Sequence, residues 1–375
     1  MNGTGKALVA GAASLCLAAA VGQKLRGGRS DAGEAGVSGA AAASGKPPAL
    51  VTLATVALGG FRGVAADMLW LRAGRLQEQR RFVELVQLSE WITALEPEAP
   101  QVWSFHAWNL AYNVTILLGR PDDRWRWVEN AISLLRDRGA ELNPQSPEIK
   151  RELAWLFLHK LGTDSDSAAG HYRTVWARQI AGWLKPDGSA PDAGSMQGEE
   201  LCVALKMDPE RMAALERRFG RIDWRMPEAS ALYWGDLAVD CAGDGREKLH
   251  CRRMVYSALL SMMRHHGFCD GDPTLEDWTF RAVPNFSLAL PTGDYIEQTM
   301  AEHSFSGIRY AYVGWLRDAI MIALAESRTA EAEALYAKLV SFFAERGVGD
   351  VPALSRIATA PDGIFSTLLE KAGFR

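Results

Sequence analysis

Cysteine and histidine gather in one stretch of the chain: Cys241, His250, Cys251, His265, His266 and Cys269. These are metal-ligand side chains, but their spacing matches no common zinc pattern. If residues 247–266 form one helix, His250 and His265 stand roughly 22 Å apart at the helical rise and cannot share an ion. No metal site is therefore assigned. Cys241 would end one helix and Cys251 would lie near the start of the next, so the two could meet across a hairpin. A Cys241–Cys251 disulfide is an expectation for an oxidising compartment, with reduced, isolated thiols as the default.

Acid–base chemistry has thin material. Glu148 and Glu152 lie one turn apart on a predicted helix, beside Trp155. A glycosidase pair faces across the bond it cuts, ~5–9.5 Å apart, and no opposing carboxylate is identifiable. Asp122 and Asp123 are explained by a helix start, where the dipole favours acidic side chains. The chain has no phosphate-binding glycine loop, nucleophile elbow or HExxH. No catalytic residue and no cofactor is assigned.

A different kind of signal lies in "WSFHAWNLAYN", residues 103–113. A helix with one wet face would not carry two Trp, a Phe and a Tyr in eleven residues. This one must be apolar on most sides, with His106, Asn109 and Asn113 turned toward neighbouring helices, where buried polar groups need partners. Inter-helix hydrogen bonds that lock register are expected for these three.

The elements that would position such residues are helices. The chain has 375 residues, a net charge of −4 and thirteen Trp. That balance gives no basic stripe for nucleic acid; the run Arg217, Arg218, Arg221 and Arg225 is diluted by acids and reads as a solvated helix face. Thirteen Trp suggest much helix-on-helix packing or an aromatic binding surface. From residue 50 onward the apolar runs have helical spacing. Pro97 closes one helix, Pro121 with two Asp opens another, and Asp208, Pro209 and Gly220 bracket a third. Short connections imply antiparallel pairs.

The first 48 residues stand apart. Lys6 precedes the apolar run 7–22, which is short for a span and right for a signal-peptide core, with Ala18, Ala19 and Ala20 as a cleavage site. Residues 1–22 are thus a signal peptide or an uncleaved signal anchor. Lys24, Arg26 and Arg29 after the run argue for the opposite orientation, but long domains translocate largely regardless of flanking charge, so a periplasmic body is the expectation. Residues 23–48 are Gly, Ala and Ser with scattered charge, a flexible tether of roughly 25–30 Å r.m.s. span. Hairpins then fill 49–184, a Gly/Pro-rich exposed loop or joint occupies 185–198, and further hairpins fill 199–375.

These hairpins resemble tetratricopeptide repeats, in which a large residue starts the first helix, small residues mark the crossing and a Pro ends the second helix. Counted from Pro97, Trp103 takes the leading aromatic position, Ala107 the crossing and Leu110 the later large one. Counted from Pro144, Leu153, Ala154 and Phe157 correspond. The departure is the period: Pro97 and Pro144 are 47 residues apart, against the family's 34. The run 61–97 also resembles a group of bacterial tetratricopeptide-like proteins with an N-terminal hydrophobic segment, a resemblance that brings no activity with it.

The resemblance implies an all-α fold, an α-solenoid of antiparallel hairpins interrupted near Lys185 and near Asp270, in one lobe or two. Its register implies that Phe105, Trp108 and Tyr112 face a concave surface, joined on the next unit by Glu148, Arg151, Glu152, Trp155 and His159. Aromatic anchors with an Arg are what peptide-binding hot spots favour. The expected function is a non-enzymatic scaffold, anchored at or exported across the membrane, that holds a protein or peptide partner in that groove. The alternatives are an all-helical carbohydrate-active enzyme and a permanent structural subunit of an envelope complex.

Overall fold

A computed structural model describes residues 62–268, 281–303, 305–359 and 361–374. The signal peptide or anchor, the tether, the start of the first helix and Cys269 lie outside the described residues. These described residues all belong to one unit, residues 47–375, and the fold is all-α. Among them, no helix is long and apolar enough to cross a membrane.

Among the described residues, fifteen α-helices of six residues or more follow in order. The first two, α1 (Arg62–Glu78) and α2 (Phe82–Leu95), form an antiparallel pair. Next come α3 (Pro100–Trp108), α4 (Pro121–Ser133), α5 (Pro147–Trp155) and α6 (Ala169–Ala181). A proline stands at the first turn of α3, α4 and α5, where its missing N–H costs nothing and its fixed φ suits the helix. Each of these three continues as a six-residue π-helical turn: Asn109–Val114, Leu134–Gly139 and Leu156–Leu161. Such turns are rare and frequently mark functional sites.

The chain then passes through α7 (Met196–Leu205) and α8 (Pro209–Phe219) to α9 (Pro227–Cys241) and α10 (Arg246–His265). Asp208 caps α8 by accepting from the Glu210 amide at 2.9 Å. Gly220 ends it at φ +101°, ψ −163°, a conformation open to glycine alone. Helix α9 is buried continuously from Pro227 to Gly235 and packs against both α5 and α10, which makes it the central element. The strands β1 (His266–Phe268) and β2 (Arg281–Val283) pair antiparallel, His266 opposite Val283. The last helices are α11 (Ala289–Glu302), α12 (Ser306–Ala325), α13 (Thr329–Ala344), α14 (Leu354–Thr359) and α15 (Pro361–Lys371). Trp315 of α12 is buried, donates to the Ala289 carbonyl at 2.7 Å, and lays its ring directly on Gly293 of α11.

Residues 185–198 are mostly exposed but tied down at their middle: Ala190 and Pro191 are buried, the Ala190 amide donates to Glu216, and the Trp224 amide donates to the Gly188 carbonyl at 2.9 Å. One expectation needs correction: the Arg217–Arg225 run is not uniformly solvated. Arg225 is buried and forks onto the buried Asp223 at 2.8 and 2.7 Å, a bidentate pair that keeps both charges satisfied away from water.

Candidate functional site: an aromatic ladder across two equivalent helices

Helices α3 and α5 have the same construction. Each begins on a proline, runs nine residues to a Trp and passes into a six-residue π turn. Pro100 matches Pro147, Trp108 matches Trp155, and Tyr112 matches His159, the last pair separated by 47 residues. The entries to the two helices match as well. The Trp103 indole donates to the Pro97 carbonyl at 2.9 Å, and Lys150, which takes Trp103's place on α5 instead of the expected Leu153, donates to the Pro144 carbonyl.

This equivalence sets four rings in a row. Trp108 stacks on Tyr112 with centroids 5.5 Å apart, as positions i and i+4 allow. Trp155 stacks on His159 at 4.6 Å with the rings nearly parallel. Tyr112 and His159 join the two stacks, hydroxyl to Nδ1 at 3.1 Å. Hydroxyl and ring nitrogen can each donate or accept, so the tautomer of His159 sets the direction of this bond. Burial holds the His159 pKa below the ordinary histidine value, with the Lys160 charge adding to it. Burial likewise pushes the Tyr112 phenol well above its ordinary range, helped by the Glu152 charge.

All four rings are half-buried. Arg151 and Glu152, also half-buried, pair at 3.2 Å one turn before Trp155. Burial raises the Glu148 pKa, opposed by Arg151 and reinforced by Glu152 and Glu247. Arg151 in turn acts electrostatically on His250 and Cys251 of α10. Three helices thus contribute to one strip: Trp108 and Tyr112 from α3 and its π turn; Glu148 to His159 from α5 and its π turn; Glu247 and His250 from α10.

A buried polar network backs the ladder. Lys160, whose side chain is 3% exposed, donates to Asp166 at 2.5 Å and to Thr115 at 3.1 Å, and lies 5.0 Å from the Tyr112 ring centre. Asp166 also accepts from Arg124, Tyr172 and the Ala168 amide. Burial lowers the Lys160 pKa and works against Asp166, but the cations around Asp166 prevail and hold its carboxyl below the usual range. With partners on every side, the network fixes the π turn of α5 against α4 and α6.

Five of the six expected groove residues, Trp108, Tyr112, Arg151, Trp155 and His159, come together here. Phe105 does not: it is buried and packs against Trp70 of α1, ring centres 4.9 Å apart. The polar residues among the aromatics also behave differently from expectation. Asn109 donates to the Phe105 carbonyl at 2.9 Å and Asn113 donates to Asn109 at 2.5 Å, so both bonds stay within the helix. His106 is buried with neither ring nitrogen hydrogen-bonded. Lys160, Asp166 and Glu247 went unrecognised in sequence; the signal available was a lysine inside the apolar run "WLFLHKL" with an aspartate six residues on.

Cys241 and Cys251 are free thiols in this structure, Cys251 buried and its pKa pushed up by burial to about 11. Cys241 lies close enough to add to that shift. Among the described residues, no cluster of three or more His, Cys, Asp or Glu side chains is arranged to hold a metal ion. Neither a family model, nor a curated protein, nor a solved structure matches the chain.

Proposed function

We propose that the protein is a non-enzymatic scaffold whose hairpins stack as a divergent, tetratricopeptide-like α-solenoid, and that it holds a protein or peptide partner on the Trp108–Tyr112–His159–Trp155 strip. The supporting observation is that the half-buried rings occupy equivalent positions of α3 and α5, 47 residues apart. Repeat arrays bind by presenting equivalent side chains of successive units along one extended surface. Rigid, half-buried indoles beside a fixed Arg–Glu pair give a partner large apolar contact at little entropic cost. The apolar run 7–22 would hold this body at a membrane or direct its export, by way of the tether 23–48.

The test is crosslinking in native cells, comparing the wild-type chain with a Trp108→Ala, Trp155→Ala double variant of matched helicity and melting temperature. A partner crosslinked to the wild type and lost from the folded variant supports the scaffold. A partner that persists places the binding surface elsewhere.

One observation favours a second reading. Glu247 reaches the neighbourhood of Glu148 from a different helix, supplying the opposing carboxylate that a carbohydrate-active enzyme would need beside its tryptophans. That reading requires a Glu148→Gln or Glu247→Gln variant to abolish glycoside cleavage by the wild-type protein.

A further inference from the structure

The outer face of α1 has a different character from the ladder. Its inner side, Ala66, Ala73 and Leu76, is buried in the hairpin with α2, while Trp70 is tied down by Glu96 at 3.4 Å and by the Phe105 ring. On the opposite side Val64, Met68 and Leu71 are 48, 65 and 46% exposed. With Arg75 they form one stripe at i, i+4, i+7 and i+11. An open cavity of about 430 Å³ adjoins this stripe, lined by Met68, Leu71, Leu76 and Gln79 together with Arg72, Arg75 and Arg81. Arg81 is engaged by Glu84 at 2.5 Å. Neither Arg72 nor Arg75 makes an ion pair among the described residues. Asp67 and Glu78 are exposed along the other edge of the stripe.

Three occupants fit an exposed apolar stripe, and the charges separate them. A second copy of the chain packed parallel on this stripe would set Arg75 against Arg75, and one packed antiparallel about its centre would set Arg75 against Val64, so neither gives that guanidinium an acidic partner within the stripe. An acidic protein would match the arginines but would need its own apolar ridge. A bilayer surface carrying anionic headgroups meets both needs together: methionine and leucine enter the acyl boundary, and the guanidiniums snorkel to phosphate. The course of the chain agrees. The residues leading into α1, 49–61, carry no charged side chain, and the apolar run 7–22 lies upstream of them. We infer that the Val64–Met68–Leu71 face of α1, with Arg72 and Arg75, is a contact surface for an anionic lipid bilayer. The body would thereby be seated on the membrane by α1 in addition to any hold through the N-terminal run, whatever binds at the aromatic ladder.

The test uses the full chain in vesicles containing brominated acyl chains, made of phosphatidylcholine alone or with phosphatidylglycerol. A fluorophore is placed at Met68→Cys, or in a control at Val203→Cys on α7, an exposed position of another helix. Cys16, Cys202, Cys241 and Cys269 are replaced by Ser, and the buried Cys251 is kept. Leu71→Cys serves if the first label lowers the melting temperature. The inference predicts strong quenching at 68 in phosphatidylglycerol vesicles, little at 203, and loss of the quenching at 68 when Arg72 and Arg75 are both changed to Glu. It is overturned if the probe at 68 stays as unquenched as the probe at 203. It is equally overturned if quenching at 68 is the same without anionic lipid and survives the charge reversal. A probe at 68 that becomes shielded with rising protein concentration in detergent, without lipid dependence, would assign the face to a second copy instead.

Discussion

The Tyr112 hydroxyl lies 3.1 Å from Nδ1 of His159, and the two residues stand 47 positions apart at the same place on two helices of the same construction. The bond therefore joins equivalent points of α3 and α5 and sets the spacing of the two indoles beside them. Tyr112→Phe keeps the ring stack and removes the hydroxyl. It should cost about 1 kcal/mol in chemical denaturation. It should also shift the His159 pKa, upward where the hydroxyl donates to Nδ1 and downward where it accepts from it, while burial and Lys160 continue to hold the value below that of a free histidine. A histidine titration by NMR measures this and its sign assigns the tautomer; an unchanged His159 pKa would contradict the bond.

Two buried groups make stability depend on pH in opposite directions. His106 is buried without a hydrogen bond and burial lowers its pKa from 6.5 to about 4. The unfolded chain takes up that proton first, so the stability it contributes is complete above 6.5 and is lost as pH falls toward 4, on the order of 3 kcal/mol in all. Glu228, in the first turn of α9, is raised by burial from 4.5 to about 7. Its folded form holds the proton longer, so its contribution is complete below 4.5 and is lost as pH rises through 7, again on the order of 3 kcal/mol. Between pH 4.5 and 6.5 the two slopes oppose. His106→Leu should leave a chain whose stability declines as pH rises through that window, and Glu228→Gln one whose stability climbs. Denaturation midpoints at half-unit pH steps separate the two; parallel curves would refute the assignment.

Glycine packing gives a sharper pair of outcomes. A Cβ built at Gly293 would lie 2.1 Å from the Trp315 ring, whereas one at Gly74 meets nothing within 4 Å. Trp315 is held by its bond to Ala289 and cannot retreat cheaply. Gly293→Ala should destabilise by at least ~1–3 kcal/mol through overpacking. Gly74→Ala, inside α1, should stabilise by roughly 0.5–1 kcal/mol by helix propensity. Thermal unfolding of the two variants should move in opposite directions.

Much of this was legible beforehand because helix ends are chemically marked. Pro100, Pro121, Pro147 and Asp208 stand at the helix starts their chemistry dictates. Counting from Pro97 and Pro144 aligned Trp108 with Trp155, which is why most of the ladder was found. Phe105 was misplaced because apolar surface on every side of α3 leaves periodicity silent about which side is open. The π turns were invisible, since hydrogen-bond register within a helix leaves no compositional trace. Lys160 and Asp166, and Glu148 and Glu247, are brought together by tertiary packing that spacing on one helix cannot predict. The loop 185–198 read as exposed from its Gly and Pro content, yet its backbone is held by Glu216 and Trp224, far along the chain.

Thiol chemistry offers another test. Cys202 is exposed, while Cys251 is buried with its thiol pushed up to about 11. A disulfide reagent at pH 8 should modify Cys202 in the folded protein and reach Cys251 only on unfolding. Protein taken unreduced from its own compartment should alkylate at both Cys241 and Cys251 once unfolded. A Cys241–Cys251 bridge found there instead would mean that oxidation draws the ends of α9 and α10 together.

The most direct measurement for the central claim places a photo-crosslinking benzophenone side chain at Trp108, at Trp155 or, as control, at the exposed Val203, one per chain, in living cells. The account predicts that the two ladder positions capture the same partner, that Val203 does not, and that both adducts fade when the other tryptophan is changed to Ala. Adducts from Val203 alone, or different partners at Trp108 and Trp155, would contradict a single binding strip across α3 and α5.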